Sequence, residues 1–444
     1  MLVMNRSSIG WPVRTLLFFY NLLWHIALPI ALLRLYWKGR HQPAYRKNIS
    51  ERLGCYSKSN FLKSPVWLHA VSVGETRACE PLVKALIQSG EQVVLTHMTP
   101  TGRQTGEDIF ASFIQSGQLV QVYLPYDVSW AIHSFLKTFQ PKLGLLMETE
   151  VWPGLVFLSS TQFPLVLVNA RLSARSARRF AKFGFVANSL FGSFSRILAQ
   201  TPIDAKHFEG FQSGNVEVTG NLKFDVLPNT TQIESALRVK EQSKPGTRII
   251  CAASTREGEE LVIAKAWKEL SQREPELISS WRLLIVPRHP QRFLSVNELL
   301  LSESLNVQKR SDLDELGLAQ ALDRHSVILG DSMGEMSFYY ALSDVVVMGG
   351  SLLPLGGQNF IEACALGCPI ILGEHTFNFH QASMDAIDAG AAIRIASLAQ
   401  LAGAMGVVMK DISALEEMSS HAIDYAGQHM GATQKTIHAL KEYL

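Results

Sequence analysis

The chain has 444 residues, a formal net charge of +2 and an apolar share of 47%. That length favours two domains over one, that apolar share suits a substantial core, and near-neutral charge gives no overall signature of nucleic-acid binding. The five cysteines, Cys55, Cys79, Cys251, Cys364 and Cys368, are scattered without the companion ligands of a zinc site and read as packing residues in a reducing compartment.

The N-terminus departs from the rest. From Leu16 to Leu33 runs LLFFYNLLWHIALPIALL, free of formal charge but interrupted by Asn21, His25 and Pro29. It is short for a membrane span. Arg34, Lys38, Arg40, Arg46 and Lys47 follow it and Arg6 and Arg14 precede it, so the positive-inside rule places the bulk of the chain in the cytoplasm. No small-residue cleavage site follows, which disfavours a secretory signal. A membrane anchor is expected, either spanning or lying in the interface. Arg40, Arg46, Lys47 and Arg52 could meet lipid phosphates, or could serve only as a topogenic flank.

Next comes VWLHAVSVGETRACEPLVKAL. Val66–Val71 reads as a buried strand, and Thr76 to Leu86 as a helix with Ala78, Leu82, Val83 and Leu86 on one face. Gly74 would allow a sharp turn. Glu75 is then either a helix-start carboxylate or a group at the ligand-binding end of a parallel sheet. The theme of apolar run, loop and helix recurs with strands at Gln92–His97, Gln121–Leu124, Lys142–Met147, Leu165–Asn169 and Ile197–Gln200. It restarts at Arg248–Ala253, Arg282–Val286, Ser326–Leu329, Asp344–Met348, Pro369–Leu372 and Ala392–Ile395. Between the two sets lies VTGNLKFDVLPNTTQIE, rich in turn formers. The expected fold is α/β: two Rossmann-like, doubly wound domains facing a cleft, with an N-terminal membrane-anchor helix. The expected division is 1–45 anchor and basic flank, 46–222 first domain and 223–444 second domain.

In the second half, GDSMGEMSFYYALSDVVVMGGSLLPLGGQNFIEACALGCPIILGEHTFNF carries a Gly-rich loop feeding a helix expected to start near Asn359. Such a turn can hold an anion, and Glu362, one turn in, can accept from a ribose diol. Gly356 and Gly357 fit a plain tight turn equally well. The loop is neither a Walker motif nor a GxGxxG fingerprint. PRHP sets Arg288 and His289 at one strand end, and Met333, Gly334 and Glu335 follow another. STREGEE reads as a helix cap.

The strings WLHAVSVGET, MTPTGRQTG, YLPYD, METEVWP, NARLSARS, VTGNLKFD, STREGEE, VPRHPQRF, GDSMGEM, GGSLLPLGGQNFIEA and GEHTFNF occur in the order seen in 3-deoxy-D-manno-octulosonic acid (Kdo) transferases, which the chain resembles over roughly Tyr45 to His380. The resemblance implies an inverting glycosyltransferase of the two-Rossmann-domain, GT-B type. It would move Kdo from CMP-Kdo to a lipid A precursor at the cytoplasmic face of the bacterial inner membrane. It also implies Glu75 as general base, Glu148 and Lys223 as transition-state stabilisers, and nucleotide contacts from Pro287, Arg288, Met333, Gly334, Glu335, Asn359, Phe360, Ile361 and Glu362. Without it, Lys223 reads as a linker lysine and Glu148 as a strand-end carboxylate. Gln358 and Arg256 stand where the family can have histidine. No DxD pair ends a strand, and neither a catalytic metal nor another cofactor is expected. The alternatives are another two-Rossmann nucleotide-sugar enzyme, such as an epimerase or a UDP-sugar transferase, and a tethered nucleotide-sugar binder without turnover.

Overall fold

A computed structural model describes residues 11–57, 64–211, 215–324 and 326–444. Arg6 and the first ten residues of the expected anchor segment lie outside these. Two compact units emerge, one of residues 1–226 with 430–444, the other of residues 227–429. The division falls after Lys223, and the chain's end belongs to the first unit, unlike the expected 223–444 domain. The reason is local bonding: the Asp225 carboxylate accepts from the backbone N–H groups of Gly431 and Thr433 and so caps the helix Ala432–Leu440.

The first unit holds seven parallel strands: β1 (Val66–His69), β2 (Val93–His97), β3 (Leu119–Tyr123), β4 (Leu143–Met147), β5 (Leu165–Ala170), β6 (Arg196–Ala199) and β7 (Val216–Val218), in spatial order β3-β2-β1-β4-β5-β6-β7. The inner strands are mainly apolar because helices cover both faces, and polar residues they do carry, such as His69, Thr96, His97 and Asn169, are buried. Trp67, Val94 and Leu146 enter one core cluster while Val66, Leu68, Val93 and Leu145 enter another. Strand order reverses between β1 and β4, the switch point at which doubly wound sheets bind ligands.

The second unit repeats the plan with β8 (Arg248–Thr255), β9 (Trp281–Pro287), β10 (Val307–Lys309), β11 (Val327–Leu329), β12 (Val345–Met348), β13 (Ile370–Leu372) and β14 (Ala392–Arg394), in order β10-β11-β9-β8-β12-β13-β14. Its switch point lies between β8 and β12. All twelve expected strands are present to within a few residues. The sequence reading missed β7 and β10, two three-residue edge strands.

The apolar N-terminal run forms the helix Trp11–His41, of which Val13–Arg40 is long and apolar enough to cross a membrane. One side of it docks on the first unit. Tyr20 Oη donates to Asp127 Oδ2 at 2.7 Å, Ser129 N–H donates to Asn21 Oδ1 at 2.9 Å, and Trp24 packs near Tyr126 and Trp152. The interruption at Asn21 is thus a docking contact. The other side leaves Phe18, Phe19, Leu23, Ile26, Ile30 and Leu33 exposed.

Candidate active site

Glu75 follows β1 at the switch point. Its helix, Val73–Ala78, begins in a capping box: Ser72 N–H donates to Glu75 Oε2 at 2.7 Å, and Glu75 N–H donates to Ser72 Oγ at 3.5 Å. Ser72, in extended conformation, makes the sharp turn that the sequence reading gave to Gly74, and Gly74 sits inside the helix without a positive φ. The expected single helix Thr76–Leu86 is two, because Pro81 has no N–H to continue the ladder, but Ala78, Leu82, Val83 and Leu86 are all buried as expected.

The capping box gives Glu75 a structural role without exhausting it. The residue is buried, and Oε1 has no hydrogen bond among the described residues. Burial first, then the charge of Glu148, lifts its pKa to about 7, against the lowering effect of Ser72; Glu150 adds a smaller upward push. Two carboxylates meet here because β1 and β4 are neighbours in register, His69 opposite Leu146.

Glu148 directly follows β4 with φ 53°, a left-handed backbone that is uncommon outside glycine, asparagine and aspartate and that often marks functional sites. Its Oε1 accepts from Lys223 Nζ at 3.0 Å, both side chains being about a quarter exposed. Lys223 rides on a short 3₁₀ turn, Leu222–Asp225. That turn is held by Asn221 Oδ1, which accepts from Lys223 N–H, and by Asn169 Oδ1, which accepts from Leu222 N–H at 3.0 Å. Asn169 is fully buried, lies in a register shift between β5 and β6, and has φ 51°. It positions the lysine, and the sequence reading missed it; an asparagine closing a strand, able to adopt a left-handed backbone, was the available signal.

In the second unit the expected nucleotide residues gather at the ends of adjacent strands. Pro287 closes β9, and Arg288 N–H donates to Thr255 O at 2.9 Å, joining the ends of β8 and β9. Arg256, Arg288 and Arg292 are near enough to His289 that, after burial, their charges hold its pKa below the usual value. Phosphate would be attracted to such a cluster. Met333 and Gly334 are exposed after β11, and Glu335 is bound by Arg310 Nη2 at 3.2 Å. Ser337 Oγ donates to Glu362 Oε1 at 2.6 Å, joining the helix after that loop, Met336–Leu342, to the short helix Ile361–Ala365. Asn359 Oδ1 accepts from Ile361 N–H, and Phe360 is fully buried. The helix expected near Asn359 begins at Ile361 and has five residues, so its dipole contributes little and the binding surface is mainly loop backbone and side chains.

The STREGEE cap is more than a cap. Glu259 is fully buried and accepts from Arg256 N–H at 2.8 Å, Gly350 N–H at 2.7 Å and Leu352 N–H at 3.1 Å, clamping the loop after β12 across the switch point. Glu260 is held by Arg292 through two bonds, at 2.6 and 3.0 Å, and by Thr255 Oγ1. Of the cations flanking the anchor, Arg52 is buried, stacked on Tyr123 and bonded to Met98 O, so it does not face lipid.

Residues 47–226 match the family model for 3-deoxy-D-manno-octulosonic-acid transferase (kdotransferase). A 3-deoxy-D-manno-octulosonic acid transferase of Bordetella pertussis is 42% identical over 387 residues, covering 86% of this chain and 88% of the relative. Its counterpart in Haemophilus influenzae is 35% identical over 437 residues, covering 96% and 98%. In fold, the chain is similar to the UDP-GlcNAc 2-epimerase of Neisseria meningitidis, with a TM-score of 0.58 over 85% of this chain and 100% of that one, at 15% identity.

Proposed function

The chain belongs to the 3-deoxy-D-manno-octulosonic acid transferases and is a glycosyltransferase, and from that premise we propose that it moves Kdo from CMP-Kdo onto a lipid A precursor at the cytoplasmic face of the inner membrane, releasing CMP. The observation that carries this reading is the group at the first switch point: buried Glu75 with its pKa at about 7, beside a Glu148 paired with Lys223. A carboxylate poised near neutrality is suited to take a proton from an acceptor hydroxyl. The hydroxyl oxygen then forms a bond to the anomeric carbon of Kdo on the face opposite the phosphate. The carbon–oxygen bond to CMP breaks, and the electron pair leaves with the phosphate. One displacement inverts the centre and needs no group to store the sugar. Lys223 would offset charge developing on the departing phosphate, with Glu148 holding the ammonium in place.

Donor contacts are assigned to the second unit: Arg288 toward the phosphate, Glu362 toward the ribose diol, and Pro287, Met333, Gly334, Glu335, Asn359, Phe360 and Ile361 around the nucleotide. The acceptor is assigned to the first unit. An acylated acceptor stays in the bilayer, so the enzyme must work at its surface. The helix Trp11–His41 supports an interfacial over a spanning placement, because polar contacts within its apolar run, at Tyr20 and Asn21, tie it to the globular unit. The test is incubation with CMP-Kdo and a tetra-acylated lipid A precursor, read by product mass. A mass gain of one or more Kdo units is expected. Gain with a UDP-sugar alone, or epimerisation of it, would reject the reading.

A further inference from the structure

We propose that the arginine-rich helix after β5, with the two phenylalanines behind it, is a second membrane-contacting element that binds the anionic headgroups of a lipid bilayer. The segment is Arg171 to Phe185, with its helix at Ala174–Ala181. Arg175, Arg178, Arg179 and Lys182 are exposed and Arg171 is half-buried. None of the five forms an ion pair or a side-chain hydrogen bond among the described residues. No aspartate or glutamate occurs between Glu150 and Asp204 in sequence, and Asp204, on the neighbouring helix Pro202–Glu209, is committed to Leu172 N–H and to Thr201. Surface cations of folded proteins are usually interspersed with acidic residues.

Charge alone would suit any polyanion. The phenylalanines narrow the choice. Phe183 is 67% exposed and Phe185 58%, although Phe180, three residues earlier, packs with Phe191 and Phe211. Clustered cations beside exposed aromatic rings match the headgroup and upper acyl region of an anionic bilayer.

Placement supplies the second argument. Helix Trp11–His41 packs on helix Pro153–Ser160, which packs on helix Phe185–Phe191. Val13 and Leu17 of the first share an apolar cluster with Ala177 and Phe180 of the arginine-rich helix. The element is therefore continuous with the layer that carries the anchor. It also follows β5, the strand next to the one that leads into Glu148. A bilayer held here would present its lipids on the side where the candidate base lies.

The inference rests on reading helix Trp11–His41 as membrane-bound, and the experiment separates the two. The full chain is sedimented with vesicles of phosphatidylcholine and with vesicles that also carry phosphatidylglycerol. Wild type is expected to bind both, more tightly to the anionic ones, with the difference lost at high salt. The variant Arg175→Gln/Arg178→Gln/Arg179→Gln/Lys182→Gln should bind neutral vesicles as wild type does, and anionic vesicles at least about tenfold less tightly, since each cation near such a surface contributes about 1 kcal/mol, or about fivefold. The lysine-for-arginine variant of the same three arginines should keep the anionic gain, which distinguishes charge from misfolding. Phe183→Ala/Phe185→Ala should weaken binding to both vesicles. If the glutamine variant binds anionic vesicles like wild type, the inference is wrong and the anchor reading stands. If wild type binds neither vesicle, both fall. If vesicle binding is unchanged while KM for detergent-dispersed acceptor rises, the cations serve the acceptor's phosphates and the bilayer assignment is overturned.

Discussion

Glu75 and Glu259 occupy matching places. Each starts the helix after the first strand of its sheet, and each lies at the switch point of that sheet. Each also receives a backbone N–H from three residues earlier, Ser72 or Arg256. Their surroundings then diverge. Backbone N–H groups saturate Glu259, Arg256 from its own turn and Gly350 and Leu352 from the loop after β12 among them, and these oppose the rise in pKa that burial causes. Glu75 has one such donor on its carboxylate, an open oxygen, and the like charge of Glu148 across the strands. A buried carboxylate whose lone pairs are filled by its own chain is a clamp. One left partly unfilled beside a second carboxylate can gain and lose a proton near neutrality.

The largest effect should separate the two in kind. Glu75→Gln should lower turnover by about 10²–10⁴-fold while the variant melts no lower than wild type and keeps its CMP affinity. Turnover near wild type would return Glu75 to a capping role and make Glu148 the next candidate for the base. Glu259→Ala should do the reverse, costing about 2–4 kcal/mol of stability in denaturant titration, because buried donors at Gly350 and Leu352 lose their acceptor. Preserved stability there would mean the clamp is dispensable. Glu362→Ala, with a wild-type melt, should weaken CMP binding by about 1.5–3 kcal/mol by calorimetry, the range for a hydrogen bond to a charged group. Unchanged affinity would remove Glu362 from the ribose assignment.

If Glu75 acts ionised, the rate should rise with pH through about 7 and then level off. Its folded-state pKa lies above the unfolded value, so the folded state binds the proton more tightly. This group therefore costs nothing below about pH 4.5, opposes folding progressively between there and about 7, and does so in full above that. Glu75→Gln should flatten that slope in pH-dependent melting. Glu148→Gln removes the like charge and should move the rate midpoint downward; an upward or absent movement would show that Glu148 does not set the proton affinity of Glu75. The smallest shift is expected for Asn169→Gly, which keeps the left-handed backbone but releases Leu222 N–H. If Lys223 then shields Glu148 less well, the midpoint should rise, and Asn169→Asp, which restores the acceptor, should bring the Leu222 contact back.

Much of the fold and part of the site were legible in the residues. Twelve strands could be picked out, most of them because a strand covered on both faces is apolar at nearly every position, and that pattern is local. Glu75 could be picked out because it stands directly between a strand pattern and a helix pattern. The motif strings carried the family. The edge strands Val216–Val218 and Val307–Lys309 left no such trace, since three residues with one neighbour need not be apolar. What only the folded chain decided is pairing across sequence distance: Lys223 with Glu148, Asn169 with Leu222, Glu259 with Gly350, and Asp225 with the start of the last helix. It also decided that Arg52 is buried while the arginines after β5 are exposed. Periodicity reports which face of an element is apolar. Which polar group meets which, and how far burial shifts a proton, depends on strand order and register, and those are set by packing of the whole sheet.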